Sequence, residues 1–151
     1  QPQVFVHRDY HSRNLMLTEK RSPGILDFQD AVEGPFTYDL VSLLKDAYIR
    51  WPAEQVWQWA LDFYNGIEAE FRERVDEDQF RRYFELMGVQ RHVKVAGIFA
   101  RLNHRDGKSG YIADIPLVLS YIVEMAPRYV ELEFLFGLIK ERVLPGMGAA
   151  T

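Results

Sequence analysis

The segment His7-Arg8-Asp9-Tyr10-His11-Ser12-Arg13-Asn14 sets a carboxylate, Asp9, five positions before an amide, Asn14, between two apolar runs. Downstream, Ile25-Leu26-Asp27-Phe28 ends another apolar run on a second carboxylate. An acid, four residues, an amide, a turn and a second acid is an order that suits phosphoryl transfer. That reaction needs a loop carboxylate to orient an attacking hydroxyl and receive its proton. It also needs oxygen ligands for magnesium, because hard divalent cations take oxygen donors. The plainer alternative, in which Asp9 and Asn14 cap a turn and Asp27 ends a strand, explains each residue but not their order.

These residues need elements to hold them. Val4-Phe5-Val6 reads as a strand, and Leu15-Met16-Leu17 and Ile25-Leu26 as two more, joined by the turn-rich Thr18–Gly24 segment. A hairpin of that form carries Asn14 and Asp27 to one end, opposite its loop. After Pro35 the apolar period becomes helical. The spacing predicts helices over Tyr38–Arg50, from Pro52 toward Glu70, over Asp78–Leu86, and over Gly88–Leu102. Two more follow, one capped by Asp114 with Pro116 in its first turn, the other marked by Leu132 to Val143. The expected fold is mostly α with a small β-hairpin element, an α+β domain. Residues 1–36 carry the β-rich loops, 37–144 a helical subdomain, and 145–151 a poorly ordered tail.

The catalytic segment and the strand ending in Asp-Phe resemble the signatures of the kinase-like fold, in the same order. The resemblance implies that Asp9 is the base, that Asn14 and Asp27 hold Mg2+ and through it ATP, and that His7 braces the loop. It also implies an N-terminal lobe over the nucleotide phosphates. No Gly-rich loop or strand lysine precedes His7. The chain is therefore expected to be a C-terminal lobe alone, with the N-terminal nucleotide lobe absent and negligible turnover in isolation.

Departures narrow the branch. His11 stands where eukaryotic protein kinases usually carry Lys, and Asp27-Phe28-Gln29-Asp30 replaces Asp-Phe-Gly. Only eleven residues separate Asp27 from Asp39, too few for an activation loop and a peptide platform. Kinases of the aminoglycoside phosphotransferase type share this His and a Tyr-Asp-Leu element, here Tyr38-Asp39-Leu40. Asp39 is read as structural, either capping its helix or bracing the catalytic loop. Gly88–Leu102 with Arg105-Asp106-Gly107-Lys108 adds a closer resemblance, to the bacterial cell-wall-recycling sugar kinases. These phosphorylate the anomeric hydroxyl of N-acetylmuramate and N-acetylglucosamine with ATP. The lactyl carboxylate of muramate would suit a basic contact, for which Arg13 and Arg101 are the candidates. An aminoglycoside or other alcohol kinase is the alternative; a non-catalytic pseudokinase or helical interaction module is a third.

Composition bounds the rest. The chain has 151 residues, 48% hydrophobic and 26% charged, enough for one core and too apolar for a disordered tail. A net charge of −4 gives no reason to expect nucleic acid, and no uninterrupted apolar run suits a membrane. With no cysteine there is no thiolate nucleophile and no disulfide, which fits a cytoplasmic setting. Charge is uneven: Arg91–Lys108 holds five Lys or Arg against Asp106 alone. Such a run is either a solvated helix face or a surface for an anionic substrate. The acids from Glu68 to Asp78 are interrupted by Arg72 and Arg74 and read as a solvated helix end. Trp51, Trp57 and Trp59 read as packing, His92 and His104 lack a third metal ligand, and Gly107 and Gly110 mark a turn.

Overall fold

A computed structural model describes residues 1–148. Four short strands open the chain: β1 (Gln3–Val6), β2 (Leu15–Met16), β3 (Gly24–Ile25) and β4 (Val32–Pro35). They form two antiparallel pairs. β2 and β3 are the expected hairpin, with Leu15 opposite Ile25 and Met16 opposite Gly24. The other pair joins β1 to β4, from Gln3 opposite Pro35 to Val6 opposite Val32. β4 lacks a periodic signal, because Gly34 and Pro35 weaken strand propensity and its partner lies nearly thirty residues back. Gly34 has a packing reason: a side chain there would meet Val6 Cγ2 at 3.3 Å.

Among the described residues seven α-helices follow: α1 (Tyr38–Leu44), α2 (Ala53–Gly66), α3 (Ala69–Arg74), α4 (Glu77–Asp106), α5 (Ile115–Met125), α6 (Glu133–Leu138) and α7 (Leu144–Gly148). Four boundaries differ from the sequence expectation. α1 stops at Leu44, six residues early, because the Asp46 carboxylate accepts from the Tyr48 backbone N–H and turns the chain out of the helix. α2 stops at Gly66, and α3 is a separate helix. The two helices expected on either side of Gly88 are one. Gly88 does not break α4; a Cβ there would lie 3.3 Å from Lys45 Nζ, so the glycine makes room for a buried lysine. The last element is divided by a π-helical turn over Ile139–Val143. Of the expected tail, 145–151, residues 145–148 belong to helix α7 (Leu144–Gly148), and 149–151 lie outside the described residues.

The chain divides into two compact units, Gln1–Gly88 and Val89–Thr151, and α4 gives residues to both. In the first unit, Phe80 and Phe84 of α4 are buried with Val41 of α1 and Ala60 and Tyr64 of α2. The Tyr64 ring stacks on Phe80 at 4.9 Å, and its hydroxyl donates to the Val75 carbonyl at 2.9 Å. Each buried phenylalanine contributes about 1.5–3 kcal/mol. Trp57 lies beside Phe80 and Phe84 under the Arg81 guanidinium, and Trp51 meets Trp59 edge to face. Phe36, between β4 and α1, packs on Phe71 and Phe80, so the β-rich start rests on the same core.

In the second unit α5 buries Ile115, Val118, Leu119 and Ile122. His92 stacks on Tyr121 at 4.6 Å and Phe99 on Tyr111 at 5.3 Å. The Ser109–Arg128 stretch has the length and apolarity of a membrane span, with a mean hydropathy of 1.2. It includes Asp114, Glu124 and Arg128, and it supplies much of this unit's core.

Candidate active site

β1 delivers the chain to His7, and there the backbone turns sharply. Arg8 has φ 76°, a left-handed conformation that costs a residue with a side chain about 1–3 kcal/mol. The turn persists because Asp39, in the first turn of α1, holds it from outside. One Asp39 oxygen accepts from the His7 backbone N–H at 2.6 Å and the other from the Arg8 N–H at 3.0 Å. Arg8 Nη1 also donates to the Asp30 carbonyl at 3.3 Å. Asp9 comes next, half-buried, its N–H donating to His7 Nδ1 at 3.3 Å. His7 is 6% exposed, lies edge-on to Tyr10, and keeps a buried Nε2 with no hydrogen-bond partner among the described residues.

After Asp9 the chain folds back on itself. The Asp9 carbonyl accepts from the His11 N–H at 3.1 Å and from the Asn14 side-chain amide at 3.0 Å. That bond uses the amide nitrogen of Asn14, and an amide oxygen has acceptor capacity of its own. Ser12–Asn14 form a 3-10 turn anchored by a residue that sequence reasoning missed. Asp46, 2% exposed, accepts from the Ser12 N–H at 3.0 Å and the Ser12 hydroxyl at 2.6 Å. Its only sequence signal is an acid at the end of an apolar helical run, which reads as a solvated terminus.

Asp27 reaches the same place by the hairpin. The Leu26 N–H donates to the Asn14 carbonyl at 3.0 Å, extending the β2–β3 register by one pair. Asp27 therefore follows directly after the residue paired with Asn14. It too is left-handed, with φ 65°, and its carboxylate is exposed and accepts from the Gln29 amide. Asn14 and Asp27 thus offer an amide oxygen and a carboxylate from one end of a hairpin. An all-oxygen pair of this kind fits magnesium, which completes its octahedron with water and substrate phosphates. It does not fit zinc, which takes four closely set nitrogen or sulfur donors, and no cluster of three His, Cys, Asp or Glu is found among the described residues.

Of the remaining predicted residues, Arg13 is exposed on the same loop, its guanidinium 3.5 Å over the Tyr48 ring. Arg101 is exposed on α4 in the second unit. The basic run is not one face. Arg91 is buried, and Arg105 is paired with Asp106 at 2.6 Å, which holds the Asp106 carboxyl below its ordinary range. One unit therefore brings together His7, Asp9, Arg13, Asn14, Asp27 and Asp39, with Arg101 outside it.

Residues 1–90 match the phosphotransferase enzyme family (APH). The chain is 52% identical, over 95% of its length, to the N-acetylmuramate/N-acetylglucosamine kinase of Neisseria meningitidis serogroup B. The proteins of the same name from Pseudomonas putida and Pseudomonas aeruginosa are 49% and 47% identical over 93% and 92% of it. The chain spans 43%, 42% and 41% of the length of these three relatives. The match to residues 1–90 falls on the unit that holds the braced loop and the hairpin acid. The chain belongs to the phosphotransferase enzyme family.

Proposed function

We propose that this chain is the catalytic C-terminal lobe, residues 1–144, of an ATP-dependent kinase acting on the anomeric hydroxyl of an amino sugar. The observation that carries the reading is the pair of hydrogen bonds that Asp39 accepts from the two peptide N–H groups immediately before Asp9, which sets the base on a fixed backbone. The names of the relatives, which share about half of the residues, point to N-acetylmuramate and N-acetylglucosamine as acceptors. The rest of the length of those relatives is the natural source of the lobe that covers the nucleotide.

In this reading Asp9 accepts a hydrogen bond from the sugar hydroxyl and takes its proton as the oxygen attacks the γ-phosphorus. The new oxygen–phosphorus bond forms as the bond to the β–γ bridging oxygen breaks, and that electron pair leaves with ADP. Asn14 and Asp27 would hold Mg2+, which when bound neutralises charge on the β- and γ-phosphates. His7 and Asp39 keep Asp9 in place and touch no substrate. The product, a sugar 1-phosphate, is the form that a nucleotidyl transfer consumes, as expected in cytoplasmic cell-wall recycling.

The test uses the full-length protein. Asp9→Asn is expected to lower kcat by about 10³-fold or more while ATP binding is kept, since a general base and its alignment together contribute that much. Near wild-type turnover in that variant removes Asp9 from the role. A substrate panel decides the acceptor: consumption of ATP with kanamycin-like amines but not N-acetyl sugars would reassign the enzyme as an aminoglycoside kinase.

A further inference from the structure

The Asp46 carboxylate accepts three hydrogen bonds, and all three serve one neighbour. Two come from Ser12, the residue before Arg13, and the third from the backbone of Tyr48, at 3.1 Å, whose ring lies under Arg13. His11 adds an edge-to-face contact on that ring, with 5.8 Å between centroids. One buried acid therefore sets both the backbone that carries the Arg13 side chain and the platform on which it rests. Stacking occupies the face of a guanidinium and leaves its edge, with five N–H donors in one plane, for a ligand. Among the described residues no hydrogen bond or ion pair engages that edge, and Arg13 faces solvent. An exposed arginine ordinarily loses rotamer entropy on binding, and here much of that loss is already made.

We infer that Arg13, held by Tyr48 and Asp46, is the specificity-determining contact for a carboxylate on the acceptor, with Asp46 and Tyr48 as positioning residues. The inference deepens the amino-sugar reading and rests on it for the identity of the ligand. A planar bidentate pair with a carboxylate suits the free edge. The site lies in the same loop as Asp9, whose carbonyl is tied to Asn14, the residue after Arg13. The lactyl ether of N-acetylmuramate carries such a carboxylate, and N-acetylglucosamine carries none.

The full-length protein provides the test. Tyr48→Leu is expected to lower the ratio of kcat/KM for N-acetylmuramate over N-acetylglucosamine about tenfold, through KM for the acidic sugar. Tyr48→Phe, which keeps the ring, is expected to restore the ratio. Asp46→Asn, which leaves at least one N–H facing an amide nitrogen, is expected to lower it in the same direction. An unchanged ratio in Tyr48→Leu, whatever happens to both rates together, overturns the inference, since a general loss of structure would affect the two sugars alike. A second readout separates this inference from the amino-sugar reading. The Nε–Hε resonance of Arg13 should shift saturably with D-lactate in the wild type and not in Tyr48→Leu, even if neither sugar is phosphorylated. No shift with lactate, or a shift with metal-free ATP only, overturns the carboxylate site.

Discussion

The two acidic loops of the site are built in opposite ways. The Asp9 loop is held by buried or half-buried carboxylates at both ends, Asp39 before Asp9 and Asp46 after it, and Asn14 closes its middle. The Asp27 loop is exposed, left-handed at Asp27, and tied on the side-chain level by exposed contacts, Gln29 to Asp27 and Arg8 to the Asp30 carbonyl. The contrast fits what the proposed function asks of each loop. A base has to stand at a fixed distance from a hydroxyl before the reaction starts, and a misplacement of about 1 Å can cost on the order of 10²-fold in rate. A metal carboxylate gains its order from the ion, whose charge supplies the energy that the protein leaves unspent. On the proposed reading the base side is organised in advance, and the metal side waits for the nucleotide.

Removing a brace should separate the two loops most clearly. Asp39→Asn keeps one acceptor for two peptide N–H groups and leaves the other facing an amide. Hydrogen bonds to a charged group contribute about 1.5–3 kcal/mol each, so a loss of about 2–4 kcal/mol in folding stability is expected, with kcat down about 10²-fold. Thermal unfolding and steady-state kinetics of the full-length protein check both. Asp27→Asn should behave differently. Asn tolerates the left-handed backbone, and the side chain is exposed, so stability should change by less than about 0.5 kcal/mol. The same variant should need a much higher magnesium concentration for turnover. Gln29→Ala is the smallest change: an exposed hydrogen bond is lost, and stability should fall by under about 0.5 kcal/mol with the magnesium requirement slightly altered. A large loss of stability in either Asp27 or Gln29 variants would mean that the second loop is braced as well.

The same division explains what could be read from the residues alone. Local order was legible: the His-Arg-Asp segment, the hairpin from Leu15 to Leu26, and the apolar stripes of α2 and α5 are all patterns within a dozen residues. Contacts over distance were not. β4 pairs with β1 across the whole catalytic segment, and Asp46 reaches back 34 positions to Ser12. Neither leaves a period in the sequence. Gly88 misled for a different reason: a glycine in a helical run reads as a break, and only the nearness of Lys45 explains why it is there. For Asp39, the residues alone left open whether it caps α1 or braces the loop, because its two partners lie 32 and 31 residues earlier.

Amide hydrogen exchange in the full-length protein, with and without magnesium and a non-hydrolysable ATP analogue, tests the contrast between the loops most directly. The His7, Arg8 and Ser12 amides, each bonded to a carboxylate, should be protected before nucleotide is added and change little afterwards. The Asp27–Asp30 amides should exchange quickly in its absence and gain protection when magnesium and nucleotide bind together. Fast exchange at His7, Arg8 and Ser12 in the nucleotide-free protein, or equal protection of both loops, would contradict a base side organised in advance.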